Sequence, residues 1–366
     1  MKWWQVYLAV CAVATLLSAV LTLLCRRLAP ALGFLDRPKK EEHKKHGRAV
    51  PVLGGLAMLL AWLLTIGGGI LGPHAIKPLL STNVTAYPPG IQTVSSQLIV
   101  LVLGAAALVA LGLVDDRWPL TAFPKFVGQF CVAGAVACWG IRITLFWHNP
   151  FVTWFITALW ILIIINAMNF FDNMDGLAAG VAATDALLFM FVAALRGQHF
   201  VAVLAGATFG TAVGFLFFNR PPASIFMGDA GSHFLGFSLG VVGALTTFYT
   251  PTESLTPAPI IIPALILGLP IFDAAAVVFI RLREHRPIYV GDHKHISHRF
   301  TRMGLSRAQA VAVVCLLNLV LGLGAIALLW LPPLGTVMVL LQAAAVLALI
   351  SLLQIYGSDA SPTENT

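Results

Sequence analysis

The chain has 366 residues, 59% of them hydrophobic and only 10% charged, with a net charge of +7 and a mean hydropathy of +0.90. Soluble domains carry about 25% charged residues and single cores stop growing near ~300 residues, so this much apolar sequence cannot be hidden from lipid in one soluble core. Composition therefore excludes a cytosolic enzyme, a disordered chain and a nucleic-acid binder, and it points to an all-α, polytopic membrane protein in which the placement of charge is what matters.

A helix needs about 20 apolar residues to cross the hydrocarbon. In chain order, candidate spans lie near 3–24, 52–72, 93–114, 126–147, 151–168, 178–195, 200–218, 232–249, 258–280, 309–331 and 334–356. The first has only Lys2 before it and Arg26 and Arg27 after it, the reverse of a cleavable signal peptide, so it reads as a span with its N-terminus outside. The segment at 126–147 is the weakest of the set, because it contains Arg142 and abuts Pro150. With that topology, only Lys2, Lys77, Arg142 and Arg196 of the 22 Lys and Arg fall outside, as the positive-inside rule requires. The outside loop at 73–92, with Pro73, Pro78, Pro88 and Pro89, reads as irregular, and the polar end at 357–366 as a disordered cytoplasmic tail. Residues 1–356 form one transmembrane domain without an internal repeat. Cys11, Cys25, Cys131, Cys138 and Cys315 lack the paired spacing of a metal knuckle or disulfide framework and read as packing residues.

Carboxylates are scarce, which makes their positions informative. Asp115 and Asp116, then Asp172 and Asp175, then Asp229 sit at the expected cytoplasmic ends of spans, where a charge must be solvated, paired or bound to a cation. Nearby aspartates with amides and no cysteine suit a hard, oxygen-loving cation, Mg²⁺ or Mn²⁺, which binds one or two carboxylates together with substrate phosphates. Glycines beside Asp175, Asp229 and Ser232 permit close backbone approach. The basic loops at 39–48 and 281–302, with His285, His293, His295 and His298, add cations, and the whole set suits a polyphosphate at the membrane surface. Blander readings exist for each part. Asp115 and Asp116 could simply pair Arg117, the basic loops could serve only topology and anionic lipid, and Asp273 reads as a buried hydrogen-bonding partner. The histidine run at 292–298 has no cysteine and irregular spacing, a poor match to a Zn²⁺ site.

Five motifs in order carry a resemblance: Asp36-Arg37-Pro38 with His46, Pro51, Gly54 and Gly55; Asp115-Asp116-Arg117 with Lys125; Asn166 and Asn169 leading to Asp175-Gly176-Leu177; Asn219 before Phe226-Met227-Gly228-Asp229 and Gly231-Ser232; and Pro270 to Asp273, then Arg281, Asp292, His295 and His298. From about Gly33 to His298 the chain resembles the polyprenyl-phosphate N-acetylhexosamine-1-phosphate transferase family. These integral membrane enzymes move a sugar-1-phosphate from a UDP-sugar to a lipid phosphate and release UMP. The resemblance implies a multi-pass protein of the bacterial inner membrane, with Mg²⁺ held by Asp229 and Asn169. It implies a uridine pocket of Asp172, Asp175, Asn219 and Phe226, with Phe226 stacked on uracil. Asp115 and Asp116 would sit where the lipid phosphate attacks, with Lys125 and His295 or His298 on the phosphates and His46 and Arg281 as further phosphate contacts. The Asp115-Asp116-Arg117 form and the His-Ile-Ser-His run resemble the N-acetylglucosamine branch rather than the phospho-muramoyl-pentapeptide branch. The sequence departs from that nearer branch at Asn173, Ser297 and Pro119.

The implied partners are a UDP-sugar and a polyprenyl phosphate, with no nucleic acid, and a homodimer is left open. A cation-coupled transporter is the rival of a different class, but its substrate residues belong near the midplane on broken, repeated helices. A glycosyltransferase that moves only the sugar would release UDP instead of UMP.

Overall fold

The computed structural model describes residues 2–36, 49–75, 88–143, 149–250, 252, 254–285 and 295–356. His46, Asp292, His293, the loop tip between residues 76 and 87, and the tail at 357–366 lie outside the described residues. The chain is helical almost throughout: α1 (Trp3–Leu32), α2 (Gly54–Ala75), α3 (Pro88–Arg117), α4 (Ala122–Cys138), α5 (Pro150–Phe171), α6 (Leu177–Leu195), α7 (His199–Asn219), α8 (Gly228–Leu245), a 3₁₀ turn (Ala258–Ile261) continuing into α9 (Ile262–Ile266), α10 (Gly268–Arg283), α11 (Ile296–Arg302), α12 (Arg307–Ala327) and α13 (Pro333–Tyr356). One feature has no counterpart in the span pattern, a two-residue antiparallel ribbon pairing β1 (Leu35–Asp36) with β2 (Val50–Pro51).

Each of the eleven apolar segments coincides with helix, but they are not equal. Among the described residues, seven helices are long and apolar enough to cross a membrane, or eight if the bent pair counts as one span. That pair, Ala258–Ile266 with Gly268–Arg283, bends by 71° where Gly268 and Pro270 interrupt the hydrogen-bond ladder. The segment at 126–147 becomes α4, which has 17 residues and stops at Cys138, with Gly140 in the left-handed region (φ +93°). At 1.5 Å per residue it is shorter than the ~30 Å hydrocarbon core.

The third departure matters most for the site. The segment near 232–249 is in fact α8, which starts four residues earlier, at Gly228, and carries Asp229 and His233. It is buried along nearly its whole length, from Ala230 to Gly243, with α2, α3, α5, α6 and α7 packed around it. A helix surrounded by protein need not be apolar enough for lipid, so polar residues are tolerated on it. Around this shaft α1 packs on α7, α6 on α7 and α12, and α4 on α5. Outward-facing side chains such as Leu8, Leu16, Phe123, Phe151, Leu334 and Leu341 remain exposed, as a lipid-facing surface requires. The all-α, multi-pass membrane architecture is therefore the one that composition demanded.

Candidate active site at one end of the bundle

The odd helices α1, α3, α5 and α7 end at one end of the bundle, and α2, α4, α6 and α8 begin there. Their junctions enclose a cavity of about 1260 Å³. Asp36 and Val52 line it from the ribbon, Asp116 from the end of α3, Asn169 and Asp172 from the end of α5, and Asp175 from the turn before α6. Asn219 comes from the end of α7, Phe226 and Asp229 from the entry to α8, and His298, Thr301 and Arg302 from α11.

The entry to α8 is held by its neighbours. Gly54 and Gly55 donate their N–H groups to the carbonyls of Phe226 and Met227, each at 3.0 Å, and Phe226 N donates to Pro51 O at 2.8 Å. Gly228 then takes φ +67°, and a Cβ there would lie 2.3 Å from the Asp116 carboxylate. Gly112 is equally constrained, since its added Cβ would sit 2.3 Å from Ala230 N. These two glycines let α3 lie directly against the first turn of α8. Asp116 uses that proximity: Oδ1 accepts from Asp229 N at 2.8 Å and Oδ2 from Ala230 N at 3.3 Å. It satisfies two of the first-turn amides that a helix start leaves unpaired.

Asp115 faces the other way. It accepts from Leu120 N at 2.6 Å and from Lys125 Nζ at 2.6 Å. Lys125 also donates to Asp229, so one ammonium ties the end of α3 to the start of α8. The second oxygen of Asp229 accepts from Asn169 Nδ2 at 2.9 Å, and the same nitrogen donates to Ser232 Oγ at 2.9 Å. The simple pairing of Asp115 or Asp116 with Arg117 does not occur. Arg117 donates to Gly33 O and lies over the Phe34 ring, anchoring the left-handed turn that ends α1.

The loop from Asp172 to Gly176 is clamped from several sides. Asn219 accepts from Gly176 N and donates to Ile225 O, both at 2.9 Å, and Asp175 accepts from Ala223 N at 3.0 Å. Ser297 Oγ donates to Asn173 Oδ1, a bond between two positions that depart from the motif pattern. Asp172 lies among Asp229, Asp116 and Asp175; burial first, then repulsion from these three, pushes its carboxyl up to about 8.

His295 and Arg281 are not brought to the cavity. His295 is 4% exposed, its Nδ1 lying 2.6 Å from Asp273 Oδ2, while Asp273 Oδ1 accepts from Ile296 N at 2.9 Å. Asp273 thus fastens the start of α11 from inside α10, which aims His298 at the cavity. Arg281 is buried with its guanidinium over the Phe170 ring. Sequence reasoning did not single out Thr301, Arg302, Ser306 and Arg307 as lining residues, because nothing in their spacing distinguishes them from a charged interfacial turn.

The donor set suits a hard cation. Five carboxylates, Asp36, Asp116, Asp172, Asp175 and Asp229, face one cavity, and burial together with repulsion from three of its neighbours holds the Asp172 carboxyl high. Among the described residues no three His, Cys, Asp or Glu side chains are grouped closely enough to hold a metal alone. A hard cation such as Mg²⁺ would take one or two of these carboxylates and complete its shell with water and phosphate.

Comparison with known proteins agrees with this geometry. The family described as glycosyl transferase family 4 matches residues 98–247, the stretch from α3 through α8 that carries Asp115 to Asp229. A probable undecaprenyl-phosphate N-acetylglucosaminyl 1-phosphate transferase of Bacillus subtilis is 33% identical over 325 residues, covering 86% of this chain and 83% of that protein. A decaprenyl-phosphate N-acetylglucosaminephosphotransferase of Mycobacterium tuberculosis is 29% identical over 90% of this chain and 84% of its own length. A phospho-N-acetylmuramoyl-pentapeptide-transferase of Geobacillus kaustophilus is 31% identical, over 64% of this chain and 74% of its own. The chain belongs to glycosyl transferase family 4 and is a multi-pass membrane sugar-phosphate transferase.

Proposed function

We propose that this chain transfers N-acetylglucosamine 1-phosphate from UDP-N-acetylglucosamine to undecaprenyl phosphate and releases UMP. The reaction takes place at the cytoplasmic face of a bacterial inner membrane, as the first membrane step in making a cell-envelope polysaccharide. The observation that carries the reading is the carboxylate-lined cavity at one end of the bundle, with Phe226 on its wall and Lys125 bridging Asp115 and Asp229. The broader match to the relatives named for N-acetylglucosamine favours that sugar over the muramoyl-pentapeptide donor.

The acceptor is a phosphate oxygen, already anionic near neutral pH, so positioning and charge neutralisation are the main tasks. Asp229 and the carbonyl oxygen of Asn169 would hold Mg²⁺ or Mn²⁺, which supplies positive charge to the donor's diphosphate and stabilises the departing UMP. Phe226 stacks on uracil, and Asp175 and Asn219 hold the loop and α8 entry that shape the uridine pocket. Lys125, kept in place by Asp115, presents its remaining N–H to the acceptor phosphate. His298 faces the diphosphate across the cavity, and His295 acts by aiming it. Attack is direct, with Asp115 orienting the acceptor through Lys125, rather than through an aspartyl-phosphate.

The test is turnover of purified protein in detergent with undecaprenyl phosphate, Mg²⁺ and a panel of UDP-sugars, resolving UMP from UDP. UMP released with UDP-N-acetylglucosamine and blocked by EDTA is the expected result. UDP release would make the chain a transferase of the sugar alone, and UMP only with the muramoyl-pentapeptide donor would move it to the other branch.

A further inference from the structure

A second polar layer lies beneath the site, one helical turn deeper in the bundle. Three residues bonded together where α8 begins, Lys125, Asn169 and Asp229, come from α4, α5 and α8. Each helix carries another polar side chain three or four residues further into the bundle: Gln129 after Lys125, Asn166 before Asn169 and His233 after Asp229. That spacing puts each on the same helix face as its site residue. These three are also bonded to one another. Asn166 Nδ2 lies 2.7 Å from Gln129 Oε1, and Gln129 Nε2 lies 3.0 Å from His233 Nε2. Gln129 is 2% exposed and His233 fully buried.

The direction of every bond in this layer follows from one backbone atom. Asn166 Nδ2 also lies 2.8 Å from Leu162 O, and a carbonyl can only accept, so the nitrogen of Asn166 is fixed. The Gln129 atom facing that nitrogen must then be its oxygen, which leaves its amide nitrogen to face His233. His233 Nε2 must therefore accept, and the ring proton sits on Nδ1.

We propose that Asn166, Gln129 and His233 are positioning residues for the transfer reaction, setting the rotation and spacing of α4, α5 and α8 so that Lys125 and Asn169 both reach Asp229. A buried polar network in which each bond is directional specifies one arrangement of its helices, whereas apolar side chains of the same volume would tolerate several. The proposal rests on the reading of Asp229 as the centre of the transfer site. The layer does not touch substrate, so its loss changes the rate of the step and not the uridine pocket, which is built on other turns.

Two measurements test it. In the turnover assay, His233→Leu should lower kcat at least tenfold with the donor KM within twofold, and His233→Gln, whose amide oxygen can accept from Gln129, should recover most of the rate. Gln129→Leu combined with His233→Leu should be no worse than the more damaging single change, because the network acts as a unit. Wild-type kcat in folded His233→Leu, or no difference between the Leu and Gln variants, would overturn the proposal. The second measurement is independent of turnover and of whether the Leu variant folds. In wild-type protein labelled with ¹⁵N-histidine, NMR should show His233, assigned by its loss in His233→Gln, with the proton on Nδ1 and a bare Nε2. The opposite tautomer would overturn the network. If no UDP-sugar is turned over, the proposed function fails while the tautomer result still decides the network.

Discussion

Asp229 is held from two directions, by the Lys125 ammonium on one oxygen and by the Asn169 amide on the other. Asp229→Asn keeps the shape of the side chain and removes its charge, so turnover should fall at least ~100-fold, the scale seen when a single electrostatic contact to a transition state is lost. The protein should still insert and elute as a single species in detergent chromatography; retained turnover would remove Asp229 from the chemistry. Phe226→Ala removes a stacking surface worth ~1–3 kcal/mol, which should raise the donor KM about tenfold with little change in kcat. Steady-state kinetics over a range of UDP-sugar concentrations measures both. Asp172 gives a pH prediction. Its carboxyl is pushed up to about 8 by burial and by its three acidic neighbours, against about 3.9 in an unfolded chain. The folded protein therefore binds this proton more tightly than the unfolded one, and the stability it contributes is lost as pH rises through 8. In divalent-free detergent solution, wild-type Tm should drop between pH 6 and pH 9 by more than that of Asp172→Asn. Equal drops would show that Asp172 is not the group responsible. Clustering of these carboxylates was legible from the sequence, but their division of labour was not. Asp116 spends both oxygens on the first turn of α8, a use that depends on Gly112 and Gly228 bringing backbones together across more than a hundred residues.

At the scale of elements, the site is a set of helix ends locked by short backbone and side-chain ties. Asn219 joins the turn before α6 to the strand-like segment before α8, and Asp273 supplies the start of α11 with the acceptor its own residues lack. Gly228 is the most exposed to substitution of these ties. Ala at that position costs ~1–2 kcal/mol for the left-handed backbone alone, and its methyl group would strike Asp116. Gly228→Ala should therefore lower Tm by several degrees and lower kcat together, read by thermal melts and turnover on the same preparation; an unchanged Tm would mean that the Asp116 contact is not maintained. Apolar run lengths located the long helices, since run length reports lipid-scale burial, but not α11, a polar seven-residue helix. They misplaced the ends of both α8 and α4. A hydropathy window cannot tell a lipid-facing helix from one enclosed by protein, so α8 was begun after its polar first turn. His295 shows a second limit: its motif neighbours suggested the cavity, but its partner, Asp273, lies 22 residues earlier in a bent span.

For the whole molecule, alternating helix direction brings every acidic motif to one end, which is what the shared parity of Asp115, Asp172 and Asp229 in the span order required. The bundle gathers a charged cavity where α8 begins while leaving outer helix faces apolar, the arrangement that the proposed meeting of a nucleotide-sugar with a lipid-borne phosphate requires. The central claim is that sugar and phosphate move together from nucleotide to lipid. Its most direct test uses UDP-N-acetylglucosamine labelled with ³²P at the β-phosphate and ¹⁴C in the sugar, with undecaprenyl phosphate as acceptor. Both labels should enter the lipid in a 1:1 ratio, with UMP left unlabelled. Transfer of ¹⁴C alone, with ³²P remaining in UDP, would contradict the account.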